Sequence, residues 1–222
     1  MSPRRIRVFA VFAVFALAAL AACARTPAGP NVVLVSIDSL RADHAGCYGY
    51  ARKTTPVLDR LAGEGVLCEQ HISSSSWTLP AHAALFTSLP DGLHGCTDTN
   101  FALAAGARTL ARRFQEAGYR TAGFYCGPYL HPAFGLAQGF DSYEDCSSYP
   151  GMMARVAEAS GREEARINRA SHADVTGERV DRALERWFSE RGEGPFFLFV
   201  HLWDVHFDYI PPPPFDRAFD PD

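Results

Sequence analysis

The residues between Ser76 and Leu85 read SWTLPAHAAL and place a hydroxyl, on Thr78, two positions before a proline. Proline is favoured in the first turn of a helix, where its missing N–H costs nothing and its fixed φ suits the helix. We therefore expect a helix from Pro80 to about Ser88, with Thr78 at or just before its N-cap. Free N–H groups there could hold a phosphate or sulfate oxygen beside the hydroxyl. This arrangement predicts a nucleophile, whereas a threonine that only caps the helix is the structural alternative.

A buried strand that ends in an acid precedes this segment. Residues 31–38, NVVLVSID, form an apolar run that is typical of a parallel strand. In open α/β sheets, ligands bind at the carboxyl ends of the strands. We therefore expect Asp38 to ligate a divalent cation, because carboxylate oxygens suit hard ions. An aspartate that only caps a turn is the alternative.

Helices and strands alternate along the rest of the chain. Further helices are expected at residues 56–63, 107–117 and 175–188, and further strands at 66–71, 120–125 and 195–202. The polar residues 150–172 predict a solvated helix or a mobile insertion that covers the site. The alternation predicts one α/β domain with a largely parallel sheet and helices on both faces.

Seven motifs occur in an order that resembles the N-terminal part of a sulfatase-type member of the alkaline phosphatase superfamily. They are NVVLVSIDSLRADHAGCYGY, TTPVLDRLAGEGV, SSWTLPAHAALFTSL, LHG, TLARRFQEAGYRTAGF, QGFDSYED and PFFLFVHLWDVHFDYIPPPPF, within about residues 31–215. The resemblance implies an alkaline-phosphatase-like three-layer sandwich with a largely parallel sheet, of which this chain holds the N-terminal part. It also implies a hydrolase of sulfate or phosphate esters that uses a divalent metal ion, Ca, Mn, Mg or Zn.

The same resemblance assigns roles to four side chains. Asp38 matches the first metal-binding acid, and Thr78 falls at the nucleophile position of a C/S/T-x-P-x-R/H element, in contact with the metal. His82 occupies the place where sulfatases usually carry an arginine that supports the nucleophile. His206 resembles the histidine that contacts the transferred group or the leaving oxygen.

Two other polar residues are candidates for the same pocket. Asn100, in a loop, and Tyr125, at a strand end, are expected to bind substrate. The string H-x-x-D-x-H at His201, Asp204 and His206 is similar to a metal cluster. However, His201 and His206 would point to opposite faces of one strand unless the strand ends between them, so His201 and Asp204 are expected to be structural.

Three departures from the sulfatase pattern bear on the substrate. Sulfatases oxidise a cysteine or serine to formylglycine, but the methyl group of Thr78 means that the same oxidation would give a ketone. Asp38 is followed by Ser39 rather than by a second acid, and residues 127–129 read Gly-Pro-Tyr where a Lys-x-His pair is usual. This pattern is closer to phosphoryl-moving relatives, such as phosphoethanolamine-transferase-like and lipoteichoic-acid-synthase-like enzymes. A transferase, or an inactive lipid-anchored binding protein with the same fold, therefore remains an alternative.

The family's second group of metal ligands is missing from this sequence. It is an Asp-His or Asp-Asn pair followed by glycine, and no such element occurs after residue 150. The pair Asp43-His44 directly follows the first strand and is in the wrong place to substitute. We therefore expect the chain to be the N-terminal part of a longer protein, with a truncated homologue as the alternative.

The first 22 residues predict export. Three arginines among residues 1–7 precede an apolar stretch at 8–22 that is laid out like a signal peptide. Its end, Leu-Ala-Ala-Cys, resembles the bacterial lipobox, so Cys23 is expected to be lipidated. Residues 23–30 would then form a linker, and residues 31–222 would be anchored to the outer membrane or cell surface, facing the periplasm or exterior. An ordinary secretory signal with an incidental cysteine is the alternative.

Composition argues against one class of partner. The first 22 residues hold three arginines and no acids, so 18 basic and 25 acidic residues remain and the formal net charge is −7. This acidic balance is unlike that of nucleic-acid binders. The expected partners are a small-molecule, glycan or lipid ester and, through the lipid anchor, a membrane; the sequence does not predict an oligomeric state.

Five cysteines follow Cys23, and none of them forms a C-x-x-C pair. This spacing argues against a cysteine zinc site. A disulfide between Cys126 and Cys146 and a set of small buried thiols are both compatible with the sequence.

Overall fold

A computed structural model describes residues 29–97, 102–149, 161–172, 174–206 and 209–219. In these ranges four strands form one sheet: β1 (Val32–Ile37), β2 (Arg120–Tyr125), β3 (Ser142–Asp145) and β4 (Phe196–Leu202). Their order is β1-β4-β2-β3, and every neighbouring pair is parallel. The predicted α/β class with a parallel sheet is therefore confirmed. The predicted signal peptide, Cys23 and Asn100 lie outside the described residues.

In the part of the chain that the structure describes, six α-helices connect and cover these strands. They are α1 (Pro56–Glu64), α2 (Thr78–Thr87), α3 (Asp91–His94), α4 (Leu110–Glu116), α5 (Arg162–His172) and α6 (Gly177–Glu190). The helices expected from the sequence are present, with ends that differ by a few residues. Among the helices in the described ranges, none has the length and apolar content that a membrane crossing needs.

Two of the sequence-based expectations for strands need correction. The strand predicted at residues 66–71 is wrong, because this segment forms turns and irregular backbone beside no other strand. Val66 is 90% exposed there, so its apolar side chain has no sheet to pack on. Conversely, β3 was not expected because its sequence, SYED, lacks an apolar pattern. It forms because it pairs with β2 and places Tyr143 against Tyr125, with ring centroids 4.7 Å apart.

The core lies on both faces of the sheet, and β4 divides it. Phe197 and Phe199 point to one face and pack with α2 and α4, whereas Leu198 and Val200 point to the other face and pack with α6. This alternation is the period of two that a strand imposes on its side chains. The result is a layer of helices on each side of the sheet, as a three-layer sandwich requires.

The start of α6 is fixed to the end of β4 by one carboxylate. Asp204 accepts hydrogen bonds from the N–H groups of Thr176 and Gly177 and from the Thr176 hydroxyl, at 2.6–3.2 Å. Asp204 is thus structural, as the sequence predicted. Cys126 and Cys146 are buried free thiols in the core beneath α6, so the structure has the thiol alternative rather than the disulfide.

Removal of one core ring tests the packing of β4. Phe197 is fully buried and stacks on Phe114 with centroids 4.6 Å apart. We expect Phe197→Ala to lower the free energy of unfolding by about 3–5 kcal/mol, because the variant loses apolar burial and leaves a cavity. Urea unfolding measures this loss. Phe215→Ala is the matched control, since Phe215 is 67% exposed and its loss should cost under about 1 kcal/mol. Equal losses in the two variants would contradict this packing.

Candidate active site

Four of the predicted site residues line one cavity at the carboxyl ends of β1 and β4. Its volume is about 680 Å³, and Asp38, Thr78, His82 and His206 are among its lining residues. Asp38 directly follows β1, and its N–H donates to the Leu202 carbonyl at 2.9 Å. The parallel pairing of β1 with β4 therefore extends to the backbone of Asp38. The structure therefore brings these four side chains together, while their roles stay predictions.

The hydroxyl of Thr78 donates a hydrogen bond to Oδ2 of Asp38 at 2.8 Å. Helix α2 begins at Thr78 itself, and its N-cap residue is Trp77. The expectation that Thr78 lies at or just before the N-cap is therefore wrong by one position. This shift matters because the Thr78 hydroxyl is engaged by a carboxylate rather than by the backbone of its own helix. The capping alternative for Thr78 is thereby excluded.

Asp38 is an ionised acceptor in a largely buried position. Burial alone would raise its pKa, but the neighbouring His201 ring and the Thr78 and Ser39 hydroxyls outweigh burial and hold the pKa of Asp38 well below its usual range. Ser39, which stands where sulfatases carry a second acid, donates to Asp38 Oδ1 at 2.9 Å. Both oxygens of the carboxylate are thus oriented by neighbouring hydroxyls.

His82 supports the backbone that carries Thr78. Its Nδ1 lies 2.7 Å from the Thr78 carbonyl oxygen, and its Nε2 lies 2.8 Å from the Ser36 hydroxyl. A carbonyl can only accept, so Nδ1 carries the hydrogen and Nε2 of the neutral ring accepts from Ser36. Burial, followed by the nearby His201, lowers the pKa of His82 from 6.5 to about 4, and the ring is therefore neutral at pH 7. His82 thus contacts the main chain of the predicted nucleophile rather than its hydroxyl.

His206 lines the cavity, and the side chain of Trp203 supports its ring. Its ring stacks on Trp203, with centroids 3.9 Å apart and planes 12° apart. The Trp203 Nε1–H donates to the Ser171 carbonyl at 2.8 Å. Gly127 also approaches Trp203 closely: its φ is +79°, and a Cβ added at Gly127 would lie 2.5 Å from the Trp203 ring. Residues 127–129, which stand where sulfatases carry the Lys-x-His pair, therefore leave room for the Trp203 ring.

Two sequence-based assignments change in the structure. Tyr125 is 1% exposed, packs in the core against Tyr143 and does not line the cavity, so its expected substrate contact is not supported. His201 was expected to be structural, yet its Nε2 lies 3.3 Å from Asp38 Oδ2. β4 ends at Leu202, between the two histidines, so strand alternation does not relate the directions of the His201 and His206 side chains. The signal that could have found His201 is the motif H-x-x-D-x-H itself.

Asp38 and Thr78 provide oxygen donors of the kind that a hard divalent cation takes. The residues present therefore fit part of a metal site, with Asp38 as the charged ligand and Thr78 as the neutral one. Within the described ranges, no three His, Cys, Asp or Glu side chains converge as a metal-binding group.

Comparison with known proteins identifies relatives of this chain. The family model described as Sulfatase matches residues 30–222. Arylsulfatase H of Homo sapiens is 35% identical over 106 residues, which are 42% of this chain and 19% of that protein. Steryl-sulfatase of Mus musculus is 35% identical over 107 residues, which are 43% of this chain and 17% of that protein. These alignments span less than a fifth of each relative.

Solved structures show the same fold. The phosphonate monoester hydrolase of Agrobacterium radiobacter gives a TM-score of 0.63 at 23% identity, covering 87% of this chain and 44% of that one. The C-terminal periplasmic domain of EcEptC from Escherichia coli, in complex with Zn, gives 0.57 at 17% identity, covering 88% and 51%. This chain therefore spans about half the length of these structural relatives.

The neutral state of His82 makes stability depend on pH. Between pH 6.5 and about 4 the unfolded chain protonates this ring, whereas the folded chain does not. The free energy of unfolding should therefore fall as pH falls through this window, by about 3 kcal/mol in total, and the loss should end near the folded pKa. Urea unfolding at several pH values measures the slope. His82→Gln should lose this share of the slope, and parallel profiles for the variant and the wild type would refute the assignment.

Proposed function

Because the chain belongs to the sulfatase family of the alkaline phosphatase superfamily, we propose that it carries the nucleophile of a metal-dependent hydrolase of sulfate or phosphate esters. One observation carries the proposal: the 2.8 Å hydrogen bond between Thr78 and Asp38, which joins residues 40 positions apart. It places a hydroxyl and an ionised carboxylate together on the wall of a cavity. This is the pair of groups that an attacking oxygen and its activating cation need.

Thr78 supplies the nucleophile in this proposal. Asp38 orients the hydroxyl but is a poor base, because its pKa lies well below the usual range. A divalent cation held by Asp38 and Thr78 would supply the missing activation by lowering the pKa of the hydroxyl. Attack forms a bond from Thr78 Oγ1 to sulfur or phosphorus as the ester bond breaks; the Thr78 hydroxyl gives up its proton to water, and the leaving oxygen takes up one proton in return. Water then hydrolyses the Thr78 ester and releases sulfate or phosphate.

The surroundings of Thr78 suit a transferred group that carries negative charge. Helix α2 begins at this residue, so its first-turn N–H groups and positive dipole end face the same region. His206 lines the cavity and would contact the transferred group or the leaving oxygen. His82 holds the Thr78 carbonyl and so keeps this turn in place. Fixed donors of this kind stabilise developing charge without reorganisation.

The cofactor and the substrate class are the finer parts of the proposal. The structure of the EcEptC domain is a complex with Zn, which supports a divalent ion as the cofactor of this chain, with Ca, Mn and Mg as the other candidates. The names of the relatives refer to aryl and steryl sulfates and to a phosphonate monoester. A small-molecule or glycan ester is therefore the proposed substrate, and the unmodified hydroxyl of Thr78 favours a phosphorus ester.

Substitution at position 78 tests the nucleophile. In the full-length protein, Thr78→Ala should lower kcat/KM by roughly 10³-fold or more, because the attacking oxygen is lost. Thr78→Ser keeps that oxygen and should stay within about tenfold of the wild type. Turnover is measured on an aryl phosphate, an aryl phosphodiester and an aryl sulfate.

Thr87 provides a matched control on the same helix. Its hydroxyl bonds the Ala83 carbonyl at 2.6 Å, away from Asp38, so Thr87→Ala should keep wild-type turnover. Unchanged turnover in Thr78→Ala would rule out the proposed nucleophile. Loss of activity on one ester class alone identifies the class that uses Thr78.

We also propose that the protein is exported and anchored by a lipid on Cys23. The support is the basic, apolar and Leu-Ala-Ala-Cys sequence of residues 1–23. In a bacterial host, the wild type should incorporate a labelled fatty acid and enter the detergent phase, whereas Cys23→Ser should do neither. Cys68→Ser is the control, because Cys68 is an exposed thiol in the folded domain. Lipid labelling that survives Cys23→Ser would overturn the anchor.

A further inference from the structure

One buried nitrogen next to the candidate site has no hydrogen-bond partner. It is Nε2 of His201, on β4, and its residue is fully buried. The nitrogen points at Asp38 and lies 3.3 Å from its Oδ2, yet this contact lacks the alignment of a hydrogen bond. A buried polar atom without a hydrogen bond costs about 1–3 kcal/mol, so its retention at this position needs a reason.

The other ring nitrogen of His201 determines what Nε2 can do. Nδ1 lies 3.0 Å from the carbonyl oxygen of Cys126, which can only accept, so Nδ1 carries a hydrogen. A metal-ligating imidazole needs one nitrogen that carries no hydrogen, and Nε2 is the nitrogen left for that role once Nδ1 faces Cys126. Asp38 Oδ2 is an electron-pair donor as well, and its contact with Nε2 lacks the alignment of a hydrogen bond. A cation bound between the two atoms would give the buried nitrogen a partner.

A third donor converges on the same oxygen. Thr78 Oγ1 lies 2.8 Å from Asp38 Oδ2, so a hydroxyl oxygen and an imidazole nitrogen both adjoin the same carboxylate oxygen. Two ligands that each bind zinc tetrahedrally at ~2.0–2.1 Å stand ~3.3 Å apart, which matches the separation of His201 Nε2 and Asp38 Oδ2. Histidines that ligate metals commonly donate their other N–H to a backbone carbonyl, as His201 does with Cys126.

We propose that His201 Nε2 is a ligand of the catalytic cation together with Asp38 Oδ2 and Thr78 Oγ1. This inference rests on the proposed function, because it places the nitrogen in the same Asp38–Thr78 site. A donor set with an imidazole nitrogen prefers zinc or another transition metal to Ca²⁺ or Mg²⁺, which favour oxygen ligands. His201 therefore selects the metal. The orientation of the His201 ring is fixed by the hydrogen bond to the Cys126 carbonyl and by edge-to-face packing on His82, with centroids 5.0 Å apart.

Metal binding by the full-length protein tests the role of His201. After removal of metals with a chelator, Zn²⁺ and Ca²⁺ affinities are measured separately by competition with a chromophoric chelator. His201→Ala should lower the Zn²⁺ affinity by about 100-fold or more and leave the Ca²⁺ affinity within about threefold. His94→Ala is the matched control, because His94 is also buried but bonds Asp91 and the Cys96 N–H. It should keep the wild-type Zn²⁺ affinity.

Diffraction on the zinc-loaded wild type gives a second measurement that does not depend on how a variant folds. An anomalous map should place the ion ~2.0–2.2 Å from His201 Nε2 and from Asp38 Oδ2. An ion held by Asp38 and Thr78 with His201 beyond bonding distance overturns the inference and leaves the proposed function intact. Equal Zn²⁺ affinities of His201→Ala and the wild type do the same. Absence of any ion at Asp38, with no turnover that depends on Thr78, refutes the proposed function itself.

Discussion

The buried negative charge of Asp38 is the constraint on which the site depends. A carboxylate moved away from water is costly unless it is paired and hydrogen-bonded, and three neighbours provide this compensation. Ser39 contributes locally, Thr78 comes from the start of α2, and His201 comes from β4. Because Thr78 and His201 lie on other elements, the buried charge has all three neighbours only where β1, β4 and α2 pack together.

The histidines around this charge have distinct tasks that follow from their hydrogen bonds. His82 is neutral and links the Ser36 hydroxyl to the Thr78 carbonyl, so it connects β1 with the first turn of α2. His201 lies beside the carboxylate, with Nε2 3.3 Å from Asp38 Oδ2, and its register partner across the β1–β4 pair is Ser36. His206 follows the end of β4, and its ring stacks on the Trp203 ring. His82 thus supports the backbone of Thr78, His201 contacts the Asp38 carboxylate, and His206 lines the cavity.

Local sequence patterns were sufficient for much of this structure. The apolar run at β1, the proline in the first turn of α2 and the aromatic run at β4 each favour their element through nearby residues alone. They also placed Asp38 and Thr78 at one edge of the sheet. The apolar run at β4 did not reveal where the strand ends, and this boundary decided the position of His201 relative to His206. Tyr125 and the short strand β3 depend on each other through ring stacking between neighbouring strands, which no local pattern encodes.

β1, the strand that precedes Asp38, has an open edge and an exposed apolar face in the described part of the chain. In the described part of the sheet β1 pairs only with β4, and Val33 and Val35 on its outer face are 53% and 51% exposed. An open backbone edge beside uncovered valines is a template for association with other chains. Production of this segment by itself should therefore favour inclusion bodies, and solubilising charges at these two valines would leave the carboxylate end of the strand unaltered. In residues 1–222 alone, the strand that leads to Asp38 thus also carries an uncovered apolar face.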